Sequence, residues 1–313
     1  MIHAPLDDFI EKRLASLPPD GITVFTLGGG RVRGELLSGA RMVNQMRANH
    51  GLGPLETMLL GRAYLCMGLL GATIKGGDKL VLRIDGNGPA EGLSVEALSD
   101  GSVRGRLFAS PIPLPAGNPS LGESELFGQG ALTMTRFSEG RPHPFVGTVE
   151  LKAGTVASDL AAYYLESEQT RTAFDVSIDF DREGRALGCG ALFLQALPGA
   201  DEDFLGRVED ALPLIPKLGP YFAQGGERKP FLERNLRELF PEILDERGVA
   251  FACPCSRERF ASFLGSASED LLEDLAANGP WPVETICHNC GSAYHFEKEE
   301  LEAMLARLKR SKG

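Results

Sequence analysis

The 313-residue chain lacks an apolar run suited to crossing a bilayer. Its longest apolar stretch, Leu55 to Ile74, carries Glu56 and Arg62 and contains Gly61, Gly68 and Gly71, whereas a span needs about 20 predominantly apolar residues. The stretch is expected to be a packed core helix, and no membrane partner is expected. No secretory leader is expected either. The opening residues, Met1-Ile2-His3-Ala4-Pro5-Leu6-Asp7-Asp8, are acidic and have neither a basic n-region nor an apolar h-region, so a cytoplasmic setting is expected. Positive charge is in deficit, with 32 Lys and Arg against 43 Asp and Glu and a formal net charge of −11. That balance opposes nucleic acid and anionic membranes, both of which recruit an excess of Lys and Arg. The glycine runs Gly28-Gly29-Gly30 and Gly86-Asn87-Gly88 do not continue into Gly-Lys-Ser or Gly-Lys-Thr, so they are taken as turns rather than phosphate loops. No nucleophilic Ser or Cys pairs with a plausible His and acid, and no catalytic residue is nominated.

Cysteine is scarce as well, with six in the chain. With export not expected, these are expected to be reduced thiols rather than structural disulfides. Cys66 lies in the apolar stretch and Cys189 between Gly188 and Gly190, and each is expected to be a small buried hydrophobe. The other four form two close pairs, Cys253-Pro254-Cys255 and Cys287-His288-Asn289-Cys290, around a 31-residue insert spanning 256 to 286. Such pairs can bring four sulfurs to a tetrahedral centre, the geometry Zn²⁺ accepts from thiolates at about 2.3 Å. One Zn²⁺ is therefore expected. His288 and His295 lie close enough in sequence to keep a Cys₃His set possible beside the all-cysteine one.

The first pair has one spacer residue where zinc ribbons commonly have two. An extended i,i+2 pair has Cα atoms near the ~7 Å limit for a disulfide, so its oxidation needs a local kink. The pair looks like a chemical switch, although the spacing alone favours a permanent zinc staple. A module of about 60 residues buries too little surface to be secure alone, and a structural zinc site contributes ~10–16 kcal/mol of apparent binding energy that exists only when folded. Zinc also keeps its cysteines as thiolates, the species that oxidants attack.

The fold class expected is α+β in three parts: a mixed sheet-and-helix core over 1–198, an apolar helical linker over 199–248, and a small zinc module over 249–313. Within the core, Leu36, Ala40, Val43, Met46 and Arg47 recur at helical spacing, and Pro54 opens a second helix through Ile74. Both are expected to cover one sheet. Strands are expected over 79–84, 93–98 and 103–108, with hairpins pairing 131–137 with 145–151 and 174–180 with 187–194. The run Pro111-Ile112-Pro113-Leu114-Pro115 is expected to be a loop, and 155–168 a helix. In the linker, three prolines interrupt an apolar segment containing Phe204, Leu205 and Val208, and Leu232, Leu236, Leu239 and Phe240 follow as one amphipathic helix stopped by Pro241. In the module, Ser266-Ala267-Ser268-Glu269 matches a capping box opening a helix between the cysteine pairs. A last helix carries Leu301, Met304, Leu305 and Leu308.

Joined to the cysteine pattern, several tracts in this order resemble the redox-regulated 33-kilodalton heat-shock chaperone family. They include Arg31-Val32-Arg33-Gly34-Glu35, Thr73-Ile74-Lys75-Gly76-Gly77, Gly101-Ser102-Val103-Arg104-Gly105, Leu126-Phe127-Gly128-Gln129-Gly130 and Leu194-Gln195-Ala196-Leu197-Pro198-Gly199, then Cys255-Ser256-Arg257-Glu258-Arg259. The resemblance covers nearly the whole chain. It implies an ATP-independent holdase, not an enzyme, that is inactive when reduced and zinc-bound and binds unfolded client proteins under oxidative stress. It further implies disulfides joining Cys253 to Cys255 and Cys287 to Cys290, zinc release, unfolding of the linker, and a homodimer when oxidised. Phe204, Leu205, Val208, Leu236, Leu239 and Phe240 are the expected client-binding groups, covered at rest and exposed on release. Two positions depart from the family pattern. Asn289 stands where an aromatic residue is usual, and Cys189 stands where a glycine is usual and adds a thiol. A zinc-ribbon nucleic-acid binder using Arg307, Lys309, Arg310 and Lys312 is the alternative of another class.

Overall fold

The computed structural model describes residues 1–114 and 121–312, with Ser311 and Lys312 as backbone only. Pro115, the last proline of the expected loop, lies outside the described residues, as does the side chain of Lys312. By internal packing the chain divides into Pro5–Phe251 and a smaller unit made of Met1–Ala4 with Ala252–Gly313. Residues 199–248 fall inside the larger unit.

The larger unit begins with α1 (Asp8–Ala15), β1 (Gly21–Leu27), β2 (Val32–Ser38), α2 (Ala40–His50), α3 (Pro54–Gly71), β3 (Lys79–Gly86), β4 (Gly92–Leu98) and β5 (Ser102–Leu107). It continues with α4 (Glu123–Phe127), β6 (Gly130–Phe137), β7 (Phe145–Glu150), α5 (Val156–Glu166), β8 (Thr172–Phe180) and β9 (Ala186–Ala196). Then come α6 (Glu202–Ala211), α7 (Leu218–Ala223), α8 (Arg228–Asn235), β10 (Glu242–Arg247) and β11 (Ala250–Phe251). Two sheets result, one ordered β10-β1-β2-β9-β8 and the other β11-β5-β4-β3-β6-β7. The fold is the mixed α+β class expected, and Gly28-Gly29-Gly30 form the turn between β1 and β2.

Helix α3 packs on β4 and β5 of one sheet and on β8 and β9 of the other, which corrects the expectation of two helices over one sheet. The cause is its composition. From Leu59 to Leu70 apolar side chains cover every side and are buried, and a helix apolar all round must be enclosed on all faces. Leu36 belongs to β2 rather than to a helix, and α2 starts at Ala40 after Gly39. Because this sheet is covered on both faces, Leu36 and Leu37 are both buried, and such a run has no alternation to distinguish strand from helix.

The second face of the five-stranded sheet carries the 199–239 segment. Phe25, Leu36, Leu192 and Leu194 of the sheet meet Phe204, Phe222, Phe231 and Leu232 in one buried cluster. Helix α7 approaches β9 closely enough that a Cβ on Gly188 would lie 2.2 Å from the Ala223 amide nitrogen. Pro220 sits in the first turn of α7, where no amide hydrogen bond is lost, so this proline does not interrupt helix as expected. The single helix expected through Phe240 is broken as well. Helix α8 ends at Asn235, a 3₁₀ turn covers Arg237–Leu239, and Phe240 has φ +55°. Edge strand β10 then pairs antiparallel with β1.

The smaller unit contains α9 (Arg257–Gly265), α10 (Glu269–Asn278), β12 (Val283–Ile286), β13 (Ala293–Phe296) and α11 (Lys298–Lys312). Eleven α-helices are thus found among the described residues, none long and apolar enough to cross a membrane. Two helices, not one, lie between the cysteine pairs. Ser256 caps α9, accepting from the Arg259 amide, and Ser268 rather than Ser266 caps α10, accepting from the Leu271 amide. Ser266 instead closes the C-terminus of α9. Leu272, Phe296 and Leu301 form the buried centre of this unit.

Candidate metal centre

Strands β12 and β13 pair antiparallel, with Ile286 opposite Ala293, and the turn at their tip carries Cys287 and Cys290. That turn is held by its own backbone: the Cys287 amide donates to Ser292 O (2.9 Å), and the Gly291 amide donates to Cys287 O (2.8 Å). Gly291 has φ +67°, a conformation that is costly with a Cβ. Cys253 and Cys255 come from the extended segment after β11, and Pro254 between them leaves no amide donor at the spacer.

The four sulfurs lie within 4.8 Å of one another and could hold a metal ion. A Zn–S bond of about 2.3 Å places tetrahedral sulfurs about 3.8 Å apart. The Cys253–Cys287 separation is 3.8 Å and the Cys255–Cys290 separation 3.3 Å, so the donor set fits a small dication. Cys255, Cys287 and Cys290 are buried and Cys253 half-buried. Crowding also acts on protonation. The hydrogen bond from Cys253 is the main cause that pushes the Cys287 thiol up to about 11. Cys290 is pushed up by Cys253 and Cys287. Four sulfurs this close cannot share thiolate charge without a cation to balance it, and a bound metal deprotonates a coordinating thiol outright.

Histidine is not brought into the set. Among the described residues the metal-capable group consists of the four cysteines, which leaves the Cys₃His alternative without a histidine ligand. His295 Nε2 lies 3.0 Å from Glu284 on the exposed side of the hairpin. Asn289 does not leave the centre without aromatic cover. Tyr294 Oη lies 3.2 Å from Cys255 Sγ and donates to Cys255 O at 3.2 Å, and its ring lies 5.2 Å from that of Phe260. Arg257 ties the hairpin to α11 by donating to His295 O (3.0 Å) and Glu300 (2.7 Å).

Elsewhere, Cys66 and Cys189 are fully buried, and burial pushes both thiols up. Cys189 is therefore a packed hydrophobe and not an added reactive group. Of the six apolar residues picked out in the linker, Phe204, Leu205, Val208, Leu236 and Leu239 are buried, but Phe240 is 64% exposed. Sequence reasoning missed Leu218, Phe222 and Phe231, all buried in the same cluster. Leu218 and Phe222 stand four apart, a signal obscured by Gly219 and Pro220 between them. Of the basic residues on α11, Lys309 is paired with Glu273 and Glu269.

Comparison with known proteins places these observations in one group. A family model described as Hsp33 protein matches residues 20–297. The 33 kDa chaperonin of Desulforamulus reducens is 34% identical over 270 residues, covering 85% of this chain and 90% of its own length. That of Bacillus subtilis is 30% identical over 287 residues, covering 88% and 94%. The crystal structure of the 33 kDa chaperonin, a heat shock protein 33 homologue, from Thermotoga maritima superposes with a TM-score of 0.83 at 28% identity, over 94% of this chain and all of the other.

Proposed function

The chain belongs to the Hsp33 family, and from that premise we propose that it is a cytoplasmic ATP-independent chaperone whose cysteine centre binds Zn²⁺ and switches client binding with redox state. The observation that carries the switch is the four-sulfur cluster itself. It joins the extended 253–255 segment to the 287–290 hairpin tip.

When bound, zinc supplies charge compensation for four thiolates and a cross-link within the small unit. Cys253 with Cys255 and Cys287 with Cys290 are the pairs that oxidise. In each, two thiolates lose two electrons to form one S–S bond, while hypochlorous acid takes up those two electrons and one proton from solvent and becomes chloride and water. Two disulfides leave Cys253, Cys255, Cys287 and Cys290 without thiolates to hold a metal, so the link that a bound metal would make between the segments is lost. Each disulfide closes only a few residues and cannot replace that link.

Phe251 precedes the cysteines by two residues, and β11 and β10 are edge strands held from one side only. Strand β10 is mostly exposed, and Leu244 is 61% exposed, so it contributes little apolar burial to its own retention. Loss of order in the cysteine unit therefore propagates first into the edge strands and then into α8, α7 and α6. Their release uncovers Phe204, Leu205, Val208, Leu236 and Leu239 together with the sheet face beneath. Phe240, already exposed, is the first contact offered. A contiguous apolar face of this kind binds unfolded clients and favours dimerisation of the oxidised form.

The test pairs zinc content with suppression of light scattering by an aggregating client, before hypochlorous acid, after it, and after thiol reduction. One zinc per chain and no protection at first, then no zinc and strong protection, then recovery of the first state, is the expected sequence. Zinc retained with protection unchanged would leave only a permanent staple.

A further inference from the structure

The first residues of the chain pack with the cysteines rather than with the helix that follows them. Met1–Ala4 cluster with Ala252–Gly313, whereas Pro5 onward belongs to the larger unit. Hydrogen bonds attach this segment to both cysteine pairs. The Met1 nitrogen donates to Cys255 O at 2.7 Å, the Ile2 amide donates to Ser292 Oγ at 3.0 Å, and Ser292 Oγ donates to Ile2 O at 3.1 Å. Ile2 is 51% exposed and Ser292 3% exposed, so at residue 2 the backbone rather than the side chain makes the attachment. Both points of attachment adjoin a sulfur ligand. Ser292 Oγ is 3.2 Å from Cys290 Sγ, and the carbonyl gripped by Met1 is that of Cys255 itself. Cys255 and Cys290 come from the two separate cysteine pairs, and their sulfurs are 3.3 Å apart.

We propose that Ser292 is a positioning residue of the metal centre and that residues 1–4 are a clasp which closes only while Cys255 and Cys290 are held together. The two grips lie on opposite cysteine pairs, so the backbone of residues 1 and 2 bridges the same gap that the metal bridges. When the pairs part, one segment cannot satisfy both grips. The clasp, in turn, limits how far the 255 and 290 segments separate while the metal is bound.

The consequence extends along the chain. Three residues beyond the clasp, Asp7 caps α1, Ile10 and Leu14 are buried in the larger unit, and Arg13 donates to Ala223 O of α7. The cysteine unit is thus joined covalently to the elements around the apolar layer at two places, through 251–252 and through 4–5. Opening the centre relaxes the restraint it places on both connecting segments.

This inference rests on the metal reading above, and the experiment separates the two. The full chain is prepared reduced and its zinc counted, and less than one zinc per chain overturns the metal reading itself. With zinc present, its rate of transfer to a chelator is measured under thiol-reducing conditions for the wild type, Ile2→Pro, Ser292→Ala and the double variant. Ile2→Pro removes one N–H donor at an exposed site, so it tests the clasp even should Ser292→Ala fold poorly. Hydrogen exchange follows residues 2–4 with and without zinc. The expected result is transfer at least threefold faster in Ile2→Pro, a double variant no faster than Ser292→Ala alone because both break one link, and protection of residues 2–4 that disappears when zinc is removed. Unchanged transfer in Ile2→Pro, additive effects in the double variant, or protection independent of zinc overturns the clasp.

Discussion

Truncating Phe231 should turn the reduced, metal-loaded protein into a client binder without any oxidant. The side chain is fully buried in α8, its ring 4.9 Å from that of Tyr221, within the cluster that seats α6, α7 and α8 on the five-stranded sheet. Phe231→Ala removes the ring and leaves a cavity, at a cost of about 3–5 kcal/mol. A cost near 4 kcal/mol raises the open population of that layer by about a thousandfold, at tenfold for each 1.4 kcal/mol. The β3–β6 pairing lies in the other sheet and should keep its protection, so the loss is local rather than global. The assay is hydrogen exchange of 199–248 in the zinc-loaded, thiol-reduced chain, run beside light scattering of an aggregating client. Accelerated exchange confined to α6, α7 and α8, with client protection and unchanged zinc content, is the expected outcome. Accelerated exchange with no protection would refute the reasoning, because the uncovered layer would then not be what clients bind.

Further outcomes are expected elsewhere in the molecule. Cys287→Ser should lower zinc after dialysis to below about a tenth of an equivalent and unfold the smaller unit while the larger keeps its cooperative melt; zinc retained at one equivalent would contradict the four-sulfur assignment. Burial raises the Glu35 carboxyl from 4.5 to about 7, opposed by Arg33 and Arg247, and its Oε2 has no partner. Its stabilising contribution is fully present below the unfolded value and is lost as pH rises through the folded one, a change on the order of 3 kcal/mol. Glu35→Gln should therefore melt higher than wild type at pH 8 and show a flatter pH dependence between 5 and 8; parallel profiles would show that the carboxyl is already ionised when buried. Gly188→Val places atoms against the Ala223 amide and Gly219 O, where a Cβ alone would be 2.2 and 2.4 Å away, so α7 should lift from β9 and protease cleavage near 218–223 should quicken in the reduced protein. Unchanged cleavage there would mean the close approach is relieved without displacing α7.

Much of the architecture was legible in residue order because local rules acted alone. Strands β3 to β5 alternate between glycine-bearing turns, and the 155–168 helix has its Thr155 cap. The misreadings share a physical cause, for they occur where the environment overrides period. Leu36 lies in a sheet buried on both faces, which erases the alternation that marks a strand. Pro220 is harmless because it falls in a first turn. Strand β10, Glu242–Arg247, was invisible because it is mostly exposed, and its pairing with β1 depends on backbone groups that every sequence possesses. Helix α9 had a usable signal in Ser256 followed by Phe260, Phe263 and Leu264, but the following Ser-Ala-Ser-Glu run drew the helix start to the wrong serine.

At the cysteines, side-chain chemistry was sufficient to nominate the ligands, since thiolates in two close pairs are informative whatever surrounds them. Setting His295 aside required the hairpin register, which points it at Glu284, and the metal-capable group found among the described residues contains no histidine.

What the sequence by itself determined was the kind of chemistry: soft sulfur donors at metal-binding spacing, an apolar tract ahead of them, and acidic charge throughout, all carried by residue type. What only the tertiary structure decided was which groups share that chemistry. It buried five of the six nominated linker side chains and left Phe240 exposed, set Tyr294 and Ser292 against the sulfurs, and brought residues 1–4 to them across some 250 positions of chain. The reason is physical: those choices are contacts between elements far apart in the chain, and composition and local spacing do not record which distant elements meet.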